Sequence, residues 1–148
     1  MNAVKRILLY PAAAVLLFAF VGGALLSSGS GPGLRIVYID YANNQDEVAV
    51  LFNASPSPVD LTGYRLTSEG GQGFIFVSST VNPQTPSIGA YDVVRVHVAS
   101  CLVQRDPRDF NWVTKQGACY KANVWNDKGD KAILFDPRNV PVAEYSFP

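Results

Sequence analysis

The sequence has few of the residues on which metal-dependent and hydrolytic chemistry relies. Its 148 residues contain one histidine and two cysteines, whereas a zinc site takes three or four such ligands. His97 is not accompanied by a Gly-x-Ser-x-Gly elbow, so nothing supports a serine hydrolase. The glycines near Gly71 and Gly73 lack the Lys-Ser/Thr ending of a phosphate-binding loop. We therefore expect no enzyme, no bound metal and no cofactor.

An excess of positive charge is also missing. Twelve Lys+Arg balance twelve Asp+Glu, so the formal net charge is zero. Without residues 1–26, which contain Lys5 and Arg6, the remainder has a net charge of −2. Because proteins that bind nucleic acid through its phosphates need a basic surface, we expect no nucleic-acid partner.

One long apolar run lies near the N-terminus. Residues 7–26 contain no charged residue and follow Lys5 and Arg6, which is the layout of a secretory signal or a single membrane span. The run is longer than a usual signal core of about 7–15 residues and reaches the roughly 20 that cross a bilayer. We favour a retained anchor, although Gly22–Ala24 is compatible with cleavage. Under both alternatives the positive-inside rule places the rest of the chain outside the cytoplasm, in a periplasmic or cell-surface location.

The sequence predicts three units. Residues 1–26 are the signal or anchor, residues 27–33 are a Gly/Ser linker, and residues 34–148 are one domain. In that domain, short β-branched segments alternate with turn residues, which is typical of an all-β sandwich. The predicted strands are 34–41, 47–53, 64–67, 74–77, 92–99, 131–135 and 142–147. In the fifth of them we expect Val94, Val96 and Val98 to face inward.

Two turns near the C-terminus are also predicted from their residues. Gly129 stands where a short hairpin loop needs a positive φ, and Asn139 tolerates the left-handed region better than most residues. Asp127, Asp130 and Asp136 are expected to cap turn N–H groups. A weak surface calcium site at these three carboxylates is kept as an alternative, although the spacing is not that of an EF-hand.

The segment Val124–Asp136 resembles the signature of the lamin tail domain family, and in particular its exported bacterial members. The resemblance rests on the pair Trp125-Asn126, on the hairpin residues Gly129-Asp130, and on the alternating residues that follow. Further pieces agree in the same order along the chain: Glu47–Asn53, Val59–Leu66, Phe74–Phe76 and Ile88–Ala90. The resemblance implies an immunoglobulin-like β-sandwich that acts as an interaction module.

The stretch from residue 100 to residue 123 is longer than the common family pattern. It contains Cys101 and Cys119, which enclose 17 residues. Because an exported domain meets oxidising conditions, we expect these cysteines to form a disulfide. Closing a loop of that size contributes about 3 kcal/mol in the chain-entropy model.

Charged and aromatic residues alternate inside this stretch. We expect Arg105, Arg108, Phe110 and Trp112 to contact a protein partner, since exported sandwiches present binding residues on such loops. The alternative is that the two aromatic rings pack onto the sandwich edge, as most large aromatic residues do.

Together these features predict a non-enzymatic, exported interaction module. We expect a membrane-tethered accessory subunit that packs beside a larger membrane or envelope complex. The alternative is a freely secreted structural or adhesive protein that self-associates through exposed edge strands.

Overall fold

The computed structural model describes residues 33–42, 46–98 and 106–148. The predicted anchor at residues 7–26 and nearly all of the linker lie outside these residues, as do Cys101 and Arg105. No helix in the described part of the chain is long and apolar enough to cross a membrane.

The described residues form ten strands, labelled β1 to β10 in chain order. The strands are β1 (Leu34–Asp40), β2 (Glu47–Asn53), β3 (Val59–Asp60), β4 (Arg65–Thr67), β5 (Gly73–Ile75), β6 (Ser87–Ile88), β7 (Val93–Val98), β8 (Asp109–Asn111), β9 (Asp130–Phe135) and β10 (Pro141–Phe147). They make one four-stranded sheet in the order β1-β2-β7-β8, a second in the order β10-β9-β4-β5, and a small pair β3-β6. The all-β prediction is confirmed.

Alternation of side chains gives each large sheet one apolar inner face. In β7, Val94, Val96 and Val98 are fully buried, as the sequence predicted. In β9 the same spacing buries Ala132 and Leu134. The two inner faces share one core, which is the arrangement of a β-sandwich.

Aromatic rings fill the centre of this core in one connected series. Phe74 and Phe76 of the β5 segment meet edge to face at 4.8 Å between centroids, and Phe76 meets Phe110 at 5.2 Å. Trp112 packs edge to face on Trp125 at 5.7 Å. The rings therefore join residues 74–76 and residues 110–112 to residues 124–129, the loop before β9 that we call the family-signature loop, in one packed unit.

Three of the ten strands were not predicted, namely β3, β6 and β8. The first two have only two residues each, too short to show alternation. Strand β8 pairs in parallel with β7, which an antiparallel hairpin pattern does not predict. It also depends on a distant loop, because the Asn82 side chain accepts from the Asn111 N–H at 2.8 Å and donates to the Asn111 carbonyl at 2.9 Å.

The two predicted turns have the expected backbone. Gly129 has φ 107° and Asn139 has φ 64°. A Cβ at Gly129 would lie 3.1 Å from the carbonyl carbon of Pro148, so a side chain here would crowd the backbone after β10 as well as strain φ.

Candidate functional site

The predicted partner-binding residues lie in two different environments. Phe110 and Trp112 are buried in the core, with 0% and 2% of their surface exposed. This is a correction: their side chains cannot make the surface contacts we expected, and the packing alternative applies because Phe110 in β8 and Trp112 just after it both point into the core. Arg108 is exposed, whereas Arg105 lies outside the described residues.

The charge of Arg108 is already matched by nearby carboxylates. Its Nη2 lies 2.6 Å from Asp106 Oδ2, and its Nη1 lies 3.6 Å from Asp92 Oδ1. The hydrogen bond from Arg108 holds the pKa of the Asp106 carboxyl well below its usual range. A partner would therefore meet a neutralised pair here rather than a free cation.

The outer face of β7 is similarly paired. Arg95 forms an ion pair with Asp109 of β8. The ring of His97 lies between two carboxylates: Nδ1 is 2.9 Å from Asp46 Oδ2, and Nε2 is 3.4 Å from Asp109 Oδ1. These contacts attach β8 to β7 and leave this face without a strong excess of either charge.

The family-signature loop is held in place by hydrogen bonds from its backbone N–H groups to carboxylate side chains. Asp130 at the start of β9 is 7% exposed. Its Oδ1 accepts from the N–H groups of Glu69 at 2.9 Å and Lys131 at 2.7 Å, and its Oδ2 accepts from the Asn126 N–H at 3.2 Å. Asp130 thus joins the turn between β4 and β5 to the loop that precedes β9.

A second carboxylate supports the same loop from inside the domain. Glu47 of β2 is fully buried, and its Oε2 accepts from the N–H groups of Val124 at 2.7 Å and Trp125 at 3.3 Å. Burial raises the pKa of Glu47; the two backbone bonds oppose this rise, and the nearby charges of Asp127 and Asp130 add to it. Among the described residues, neither Glu47 Oε1 nor Trp125 Nε1 has a hydrogen-bond partner.

Glu47 is part of the family resemblance, but its role as a buried acceptor for the loop before β9 was not predicted from the sequence. The signal was present, because Glu47 has the same strand phase as Ala49 and Leu51, which are the buried side chains of β2. A carboxylate in that phase must find donors inside the fold.

These supports define an open cleft of about 480 Å³, which we name the acidic cleft. Its walls are the turn between β4 and β5 and the loop before β9. The lining residues are Glu69, Gly70, Gln72, Asn123, Val124, Trp125, Asn126, Gly129 and Asp130. The lining thus contains two carboxylates, several amides and no lysine or arginine, so the cleft favours a cationic group.

The three aspartates that were kept as an alternative calcium site, Asp127, Asp130 and Asp136, do not come together at this cleft. Asp136 follows β9 at the end opposite Asp130, about 20 Å away along an extended strand of this length. Its Oδ1 accepts from the N–H groups of Arg138 and Val140, both at 2.9 Å. Asp130 and Asp136 therefore cap backbone N–H groups, as the sequence predicted. Within the described ranges, no three His, Cys, Asp or Glu side chains are grouped so as to hold a metal ion.

Cys119 lies in a hairpin that follows β8. The Tyr120 N–H donates to the Trp112 carbonyl at 2.9 Å, and Val113 bridges to Cys119. Cys101 lies outside the described residues, so the predicted disulfide stays a prediction.

Comparison with known families adds an independent finding. A family model described as Lamin Tail Domain matches residues 27–148. A comparison with curated proteins gives no match. The family match covers every strand described above and includes the four signature residues Trp125, Asn126, Gly129 and Asp130. The chain therefore belongs to the lamin tail domain family.

Proposed function

We propose that this chain is a non-enzymatic, exported interaction module of the exported bacterial type, tethered to the membrane through residues 7–26. It binds a basic segment of a protein partner in the acidic cleft and acts as an accessory subunit of a larger membrane or envelope complex. The observation that carries the proposal is the acidic cleft itself, whose lining has carboxylates and amides but no cationic residue.

The rigidity of the cleft supports a binding role. Asp130 and Glu47 anchor both walls through backbone hydrogen bonds, so these two carboxylates fix the shape of the site. The side chains left for a partner belong to exposed residues such as Glu69 and Asn126. A preformed site loses little conformational entropy on binding, which favours specific recognition.

The chemistry of the cleft sets the chemistry of the ligand. A lysine or arginine side chain that enters it meets the exposed Glu69 carboxylate at the rim, with amide oxygens nearby, and the buried Asp130 carboxylate adds negative charge to the wall. Amide groups accept hydrogen bonds from an ammonium or guanidinium group, whereas an acidic ligand would be repelled.

The N-terminal sequence supports the location. Lys5 and Arg6 before an uncharged run of 20 residues favour insertion with the domain outside the cytoplasm. A Gly/Ser linker at residues 27–33 then gives the domain reach beside a membrane neighbour.

The test uses the full chain in detergent and an acetylated, amidated tetra-lysine peptide. Asn126 and Gly129 line the cleft, so their backbone N–H resonances report occupancy. We expect saturable shifts that weaken as salt is raised and that a tetra-glutamate peptide does not produce. Glu69→Lys should abolish these shifts. Asp60→Lys makes the same charge change at an exposed site on β3 and should preserve them.

Equal responses from the two variants, or no saturable shift of the Asn126 and Gly129 resonances, would show that the acidic cleft is not the binding site.

A further inference from the structure

The chain enters the sandwich at one end, which we call the linker end. Gly33 is the first described residue, and its carbonyl accepts from the Ala54 N–H at 2.8 Å, so the start of β1 lies against the loop after β2. The Tyr91 N–H donates to the Ser55 carbonyl at 3.2 Å, which places the loop before β7 at the same end. The linker end is therefore formed by Gly33 and residues 54–58 and 89–91.

One buried side chain joins the two loops of the linker end. Asn53 has no exposed surface, and its Nδ2 donates to the carbonyls of Ser57 at 2.8 Å and Gly89 at 2.9 Å. Neither residues 54–58 nor residues 89–91 include a charged side chain. The linker end is thus a preformed and uncharged surface.

Tyr91 stands out on this surface. It is 65% exposed, more than any other large hydrophobic side chain in the described residues. It also has φ 54° in a turn that the Asp92 N–H closes on the Gly89 carbonyl at 3.3 Å. This turn position favours glycine or asparagine, and a bulky residue there is strained. Since the ring does not serve the core, its retention indicates a contact outside the domain.

The carboxylates that follow these two loops in the sequence are already engaged. Asp92 Oδ1 accepts from the Val93 N–H at 2.8 Å and lies 3.6 Å from Arg108 Nη1. Asp60 Oδ1 accepts from the Thr62 N–H at 2.8 Å. The loops of the linker end therefore present no unmatched acidic group of their own.

The acidic cleft lies at the other end of the domain. Glu47, at the start of β2, supports the loop of the cleft, whereas Asn53, at the end of the same strand, joins the loops of the linker end. Six residues of extended strand separate the two positions by about 20 Å.

We propose that the linker end lies on the lipid surface, with the Tyr91 ring among the headgroups, and that the acidic cleft faces away from the bilayer. This inference rests on the membrane tether of the proposed function. Residues 27–32 can span at most about 20 Å between the apolar run and Gly33, so the linker end stays nearest the bilayer. Tyrosine suits this position because its ring is apolar and its hydroxyl is polar, as the interface between lipid chains and water requires.

The test uses the full chain in phosphatidylcholine nanodiscs that contain a gadolinium-chelating lipid. Broadening of the backbone N–H resonances of Ser57 and Ala90 reports contact at the linker end, and that of Asn126 and Gly129 reports the cleft. We expect strong broadening of the first pair and little of the second. Added salt should leave this pattern unchanged, because the contact surface is uncharged.

Substitution of Tyr91 separates contact from mere proximity. Tyr91→Asn keeps a residue that tolerates positive φ, and it should reduce the broadening of Ser57 and Ala90 by about half or more. Tyr91→Trp should retain the broadening, because tryptophan also favours the interface. Tyr38→Asn is the matched control and should change nothing: Tyr38 is 51% exposed but lies within β1, opposite Val50.

Equal broadening at the two ends would overturn the proposed orientation, as would equal effects of Tyr91→Asn and Tyr38→Asn. A chain that does not stay in the discs would contradict the tether and this orientation together. Failure of the tetra-lysine peptide to bind would contradict only the role of the acidic cleft, since the lipid contact does not depend on it.

Discussion

Removal of the Asp130 side chain tests how the cleft is held together. Asp130→Ala deprives three backbone N–H groups of their acceptor, those of Glu69, Asn126 and Lys131. A hydrogen bond to a charged acceptor contributes about 1.5–3 kcal/mol to stability. Glu69 and Asn126 are exposed, so water can replace part of what is lost. We therefore expect Asp130→Ala to lower the free energy of unfolding by about 3 kcal/mol, out of a total of about 5–15 kcal/mol for a domain.

Asp130→Asn refines the same test. Its amide oxygen can still accept from Glu69 and Lys131, whereas its NH₂ group faces the Asn126 N–H. We expect a loss of about 2 kcal/mol, because one hydrogen bond is lost and the other two no longer have a charged acceptor.

The assay is urea unfolding followed by the fluorescence of Trp112 and Trp125, which are both buried in the fold. Asp127→Ala, in the same turn but exposed, is the control and should change stability by less than about 0.5 kcal/mol. If Asp130→Ala costs no more than Asp127→Ala, the claim that Asp130 holds the two walls is refuted.

Three further predictions concern pH dependence, the core and the hairpin. Because burial raises the pKa of Glu47 above its ordinary 4.5, the folded protein holds this proton more tightly than the unfolded chain. Stability should rise as pH falls from 7 toward 4.5, and Glu47→Gln should flatten this rise in urea titrations at each pH. Phe110→Ala should cost about 3–5 kcal/mol in the same unfolding assay, and Arg108→Ala should cost far less, because the Phe110 ring is buried and the Arg108 side chain is exposed. Gly129→Ala should cost about 1–3 kcal/mol and lower the melting temperature, because its φ of 107° is strained for alanine.

Much of the sandwich was predictable because its long strands alternate. Strand β2 has the bounds that the sequence indicated, and β7 buries its three predicted valines. Gly129 and Asn139 were predictable from turn chemistry alone, which depends on local backbone preference. Strand β8 was not predictable, because its three residues form a strand only by pairing with β7 and by hydrogen bonding to the side-chain amide of Asn82.

The candidate site was predictable only in part. The signature residues pointed to the loop before β9, but not to the opposite wall, which is formed by the β4–β5 turn 61 residues earlier than Asp130. Phe110 and Trp112 share the same strand phase on either side of Asn111, yet the charges around them suggested a surface loop. Their burial follows from long-range packing against Phe76 and Trp125, which spacing alone does not encode.

The most direct measurement is the native mass and composition of the full chain, extracted gently from its own membranes, for the wild type and for Glu69→Lys. The proposal predicts that the wild type retains residues 1–26 and migrates with a distinct protein in an assembly larger than copies of the 16.0 kDa chain account for. It predicts that Glu69→Lys leaves the chain in the membrane but releases that protein. A soluble species that begins near residue 25, or a mass explained by this chain alone, would contradict the account.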